Sequence, residues 1–273
     1  MQMFDPNRRN RNIGTAKQGR GSKNRMSIPE PEHGAHEPWE RIGDAREEER
    51  AVGNRLLRFF FQPLRSDCVY ACTVNDIVRV LEHVPGDDWS GIGAFLFRQP
   101  SRKEQLLKPV WGRLAYAADL VRSDKRVVYS GPVIVLEAIN PTVPIKFGKR
   151  LSLRDMEELD RLRRDGHLIK SDRQHTVESS LESCRTTQLY RTLLHELGHW
   201  VDFLQRVEKF ECGSDSYKKL VERFHSRPYA EKEQFAHSYA ERIRTQLTSS
   251  GTIPFDRQNG SNDWEPSESP LTL

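Results

Sequence analysis

The residues of this 273-residue chain best suited to chemistry are His195-Glu196-Leu197-Gly198-His199. On an α-helix, residues four apart share a face and lie about 6 Å apart along the axis. His195 and His199 can then turn both imidazoles toward one metal ion. Zinc suits them, taking neutral imidazole nitrogen at about 2.0–2.1 Å in a tetrahedral shell. Glu196 lies roughly 100° round the helix. That is poor placement for a ligand and good placement for reaching a metal-bound water as general base. Leu189, Leu193, Leu197, Trp200 and Leu204 recur at spacings of three and four. They mark a buried helical stripe with the histidines on its flank.

A catalytic zinc site uses three protein ligands and leaves one position for water. The third must come from another segment. Pro228 to about Leu247 reads as a second helix, with Phe235, Tyr239, Ile243 and Leu247 apolar and small Ala236 and Ala240 allowing close packing. Glu233 and His237 share the face beside that small-residue strip, and Glu231 points nearly the opposite way. Glu233 is the expected third ligand. His237, one turn behind it, is expected to support the metal set or face the substrate. Peptide hydrolysis also needs a donor for the oxyanion. Tyr229 is the first candidate, with His237 and His225 behind it. Asp202 is either an acceptor for a ligand histidine or a polar residue on an exposed turn.

The pair of motifs, His195-Glu196-x-x-His199 and the helix carrying Glu233-Gln234-Phe235-Ala236, resembles the gluzincin metallopeptidases. It is most similar to the compact group that includes anthrax lethal factor and the Pro-Pro endopeptidases. Asp202, three residues past His199, matches a further shared position. The resemblance covers about Thr187 to Leu247. It implies a zincin-like fold, Zn²⁺ as cofactor, a peptide substrate, and Glu233 as metal ligand. In that group the catalytic tyrosine commonly lies further upstream of the metal glutamate than Tyr229 lies from Glu233.

The elements that must position these residues read as an α+β domain over 91–248, with a small mixed sheet packed on the histidine helix. Ala94–Phe97, Leu114–Val121, Val127–Ser130 and Val133–Ala138 read as strands, the last two broken by Gly131-Pro132. An edge strand of such a sheet can pair with an extended peptide. Ser101-x-x-Glu104 caps a brief helix, and Ser152 caps another that Gly166 should stop. A polar loop follows, then the histidine helix from about Thr187 and a linking helix near Ser216–Phe224. Upstream, 39–90 reads as a helical segment. One helix runs from Trp39 to about Phe61, ahead of Pro63, and another from an Asn75 cap to Val84. It could pack against the catalytic domain or cap its cleft.

The ends read as disordered: a basic arm over 1–38 and a polar tail over 249–273. The first 25 residues hold seven Lys or Arg against Asp5 alone, whereas the whole chain is only +4. The basicity therefore belongs to the arm, which could touch nucleic acid weakly or serve as a solubilising tail. The sequence lacks a run of 18 apolar residues and an apolar leader, so it predicts no membrane span and a cytoplasmic location. Cys68, Cys72, Cys184 and Cys212 form no zinc-ribbon spacing and read as reduced, buried residues. The expected function is a zinc-dependent metallopeptidase. The alternatives are a non-catalytic zinc-binding regulatory or nucleic-acid-associated module, and a zincin fold acting on something other than a peptide.

Overall fold

A computed structural model describes residues 39–107, 110–209 and 214–260. Strands β1 (Trp39–Gly43), β2 (Arg46–Val52) and β3 (Arg55–Phe61) stand where a helix was expected. The reason is Gly53-Asn54. These two residues, with Gly53 at φ +60, join the paired Val52 and Arg55 as a tight hairpin loop. Glu49 pairs across the hairpin with Arg58, whose Nε donates to Glu47 Oε1 at 2.7 Å. The helical segment over 39–90 is thus corrected. It contributes three strands to the main sheet, and its helical parts are α1 (Val74–Leu81), capped by Thr73, and a 3-10 turn at Gly86–Trp89.

β4 (Ala94–Arg98) and α2 (Arg102–Leu107) lie where they were read. β5 (Gly112–Arg122) and β6 (Val127–Glu137) are longer than expected, and β6 runs through Gly131-Pro132 without a break. A bulge makes this workable. Ala115 pairs with Val133 and Ala118 with Gly131, so Tyr116 and Ala117 both lie opposite Pro132, which has no N–H to give.

The six strands form one mixed sheet in the order β1-β5-β6-β4-β3-β2. Its two edge strands are consecutive in the chain and joined only by Asp44 and Ala45, so the sheet must curl. Arg122 of β5 reaches across the curl to the Ala45 carbonyl at 3.0 Å and to Glu47 of β2 at 3.3 Å. Ile42, Phe60, Leu96, Leu120 and Val133 pack together on one face. On the other, Phe59 stacks on Phe95 and Phe61 on Phe97, in the core shared with Leu189, Leu193 and Leu197. Full burial of each such side chain contributes about 1.5–3 kcal/mol.

β7 (Ile145–Phe147), α3 (Leu153–Arg164), β8 (Leu168–Ser171) and β9 (His175–Glu178) come next. The strands make a second, antiparallel sheet in the order β7-β9-β8. Leu159 and Leu162 of α3 pack against it with Val177. α3 has the expected Ser152 cap, and Gly166 follows at φ +92.

One long helix then comprises α4 (Leu181–Thr187), a π turn (Gln188–Thr192), α5 (Leu193–Phe203) and a second π turn (Leu204–Glu208). α6 (Ser214–His225) and α7 (Tyr229–Ser249) complete the helices. The tail expected to be disordered from 249 is packed as far as Gly260. Ile253 is buried, the Phe255 carbonyl accepts from Arg185 at 2.9 Å, and Gln258 N donates to Asp76 at 3.0 Å. The predicted basic arm and the remainder of the tail lie outside the described residues. No helix among the described residues is long and apolar enough to cross a membrane.

Candidate metal centre

α5 packs against β5 on one side and α7 on another. Gly198 makes the second contact close: a Cβ there would lie 2.9 Å from both Cα and O of Ala236. The two helices therefore meet backbone to backbone within the histidine motif. Glu233, one turn before Ala236, reaches the imidazoles as the sequence predicts. Its Oε2 is 3.5 Å from His195 Nε2, and its Oε1 is 3.3 Å from His199 Nε2. One ligand atom from each of the three residues lies within 4.8 Å of the others.

Those separations suit a metal better than a direct hydrogen bond. Charge-assisted N–H···O bonds run to about 2.7–2.9 Å. Neighbouring ligand atoms of a tetrahedron with bonds of 2.0–2.1 Å stand about 3.3–3.4 Å apart. The donor set, two imidazole nitrogens and a carboxylate, is one that zinc accepts. Burial opposes ionisation of Glu233, but the two imidazoles hold its carboxyl well below the usual range.

Glu196 is outside the converging three. It is nearly buried, and its Oε2 accepts from Leu114 N at 2.8 Å. Burial raises its pKa, against the pull of the two histidines and the Leu114 N–H. Leu114 lies in the half of β5 left unpaired at its outer edge among the described residues, since β1 meets β5 only at Asp119–Arg122. The His237 ring lies 4.4 Å from that of His195. Burial first, then His195 and Arg161, hold the His237 pKa down to about 4.

Tyr229 sits at the rim, 58% exposed, with its hydroxyl 3.4 Å from Arg154 Nη2. Partial burial and the neighbouring Glu233 raise its pKa. Glu231 points away, toward Arg227 at 3.6 Å. His225 is exposed, with its ring 5.4 Å from that of Tyr116. Asp202 follows neither alternative, since it is buried within α5 and its carboxylate is not given to a histidine. Its two oxygens accept from Arg206 and Arg227, each at 2.6 Å. It thereby ties the end of α5 to the residue before the Pro228 cap of α7.

No family model, no curated protein and no solved structure matches this chain. Four parts of the site escaped the sequence reading. The Leu114 N–H is a backbone group and carries no residue signature. The sequence marks Ala236 and Ala240 as small residues for close packing but does not single out Gly198 as what they meet. Arg227 carries no sequence signal that sets it apart from the chain's other arginines. Tyr116 read as an ordinary strand residue, yet the bulge sets it against Trp200, Phe203 and Phe224, within electrostatic reach of Glu196 and Glu233.

Proposed function

We propose that this chain is a zinc-dependent metallopeptidase of zincin type. The observation that carries the reading is the convergence of His195 Nε2, His199 Nε2 and the Glu233 carboxylate, with Glu196 held beside them and not among them. A zinc ion on these three ligands would supply Lewis acidity and bring the pKa of a bound water to about 7. Glu196, oriented by the Leu114 N–H, takes the proton from water and returns it to the leaving nitrogen. The unpaired stretch of β5 offers an extended peptide a strand to lie along, and it borders the carboxylate that acts on the scissile bond. Tyr229, at the rim beside Glu233, is assigned the oxyanion. The buried free thiols of Cys68, Cys72 and Cys184 suit a reducing compartment such as the cytoplasm.

Glu196→Gln separates this reading from a non-catalytic zinc module. The variant keeps shape and ligands, so it is expected to hold zinc as the parent does. Peptide cleavage should fall by about 10²- to 10⁴-fold, the usual contribution of general-base catalysis. A peptide-library digest at matched zinc content makes the comparison. Equal cleavage by both proteins refutes the role of Glu196, and no cleavage by either favours the non-catalytic module.

A further inference from the structure

Behind His237, α3 and α7 enclose a groove of about 650 Å³ whose lining includes Arg161, Arg164, Arg191, Arg242 and Arg244. Among the described residues its one lining carboxylate is Glu241. The inner arginines are fixed from below. The buried Asp165 accepts from Arg191 Nε at 2.6 Å and from Arg244 Nη1 at 2.9 Å, while Glu158 accepts from Arg161 Nε at 3.0 Å. Arg164 and Arg242 are exposed, and neither is ion-paired with a carboxylate among the described residues. Arg242 instead lies 5.1 Å from the ring centroid of Tyr239. Neutralisation at the floor thus leaves positive charge at the mouth.

His237 joins the groove to the metal centre, since it lines the one and packs its ring on His195 of the other. We propose that this groove binds an acidic peptide segment, by pairing carboxylates of that segment with Arg164 and Arg242. Its identity as part of a substrate rests on the peptidase reading, whereas the binding itself does not. From Glu233 to Arg242 is about 14 Å along α7, which an extended chain covers in about four residues. A carboxylate paired with Arg242 therefore lies about four residues from the bond that is cut.

The test uses the full chain with zinc and two fluorescein-labelled peptides of equal length, one with glutamates and one with glutamines in their place. Fluorescence anisotropy reads the affinity. The wild type should prefer the glutamate peptide. Arg164→Glu with Arg242→Glu should weaken that peptide about tenfold, as expected for reversing two exposed charges, and leave the glutamine peptide unchanged. Arg126→Glu with Arg173→Glu, in the turns after β5 and β8, matches the change in net charge and should change neither. Thermal melting of the double variant checks that it is folded. Unchanged binding of the glutamate peptide by the double variant overturns the proposal. So does a single-stranded oligonucleotide that binds more tightly than the peptide and loses its binding in that variant. A terminal hydroxamate on the glutamate peptide adds a separate measure. If it brings no extra affinity while the arginine dependence persists, the groove stands and the metal reading fails.

Discussion

Gly198→Ala probes the helix contact that lets Glu233 converge on His195 and His199. The added Cβ would lie 2.9 Å from Cα and O of Ala236 and 3.1 Å from Cβ of Tyr239. Ordinary van der Waals contact begins near 3.4 Å, so α5 and α7 must part by at least about 0.5 Å. Ligand distances in a metal site tolerate only about 0.2 Å. Glu233 moves with α7, whereas His195 and His199 stay on α5. Zinc affinity is expected to fall by about 10- to 100-fold, the range seen when groups supporting a metal ligand are disturbed. Overpacking costs about 1–3 kcal/mol, and the better helix propensity of alanine returns up to about 1 kcal/mol. The net is about 1–2 kcal/mol, or about 2–8 °C in Tm for a domain of this size. Competition with a chromophoric chelator measures the affinity, and melting with and without EDTA separates packing from metal. Adding Ala236→Gly should not rescue the variant, because the closest atoms are main chain. Wild-type zinc affinity in Gly198→Ala would refute the reasoning.

Glu233→Ala should weaken zinc retention strongly and Glu231→Ala should not, as metal analysis after dialysis will show; similar behaviour in the two means the third ligand is misassigned. Asp76→Ala leaves the guanidinium of Arg185, fully buried beside it at 3.0 Å, without its carboxylate. A loss of about 3–5 kcal/mol is expected in urea unfolding, with part recovered by adding Arg185→Met. Truncation after Ser250 removes Ile253 from the core along with the Phe255 carbonyl and the Gln258 N–H. It should cost about 2–4 kcal/mol, drawn from the apolar burial and the lost hydrogen bonds, and a variant as stable as the full chain would contradict the packing described.

The parts of the site that were legible depend on spacing within one helix. His195 and His199 share a face because they are four apart, and Glu233 and His237 do so for the same reason. Where geometry depends on distant partners, the sequence was silent. Asp202 could be placed on the histidine side of α5, but Arg227, 25 residues on, takes its carboxylate. The curled sheet was misread at its start because Glu47–Glu49 and Leu56–Phe61 suit a helix about as well as two strands. The deciding signal was Gly53-Asn54, a two-residue loop between segments of equal length. Gly131-Pro132 misled in the opposite sense, as the bulge at Tyr116 lets a strand pass through a proline. In the tail, Ile253 and Phe255 are too few to form a pattern, yet each has a specific place against α4, α7 or the π turn.

Two π turns bracket α5, Gln188–Thr192 before it and Leu204–Glu208 after it. Each carries hydrogen bonds from i to i+5, one residue more per ring than the α-helix beside it. Losing a residue inside α5 itself would swing everything beyond it by roughly 100° and part His199 from His195. Losing one inside a π turn only closes that ring to the α spacing, with both flanks keeping their headings. The rotational phase of α5 is thus insulated at both ends. Changes of length on either side can be absorbed before they reach the histidines, and the pair stays aimed at Glu233.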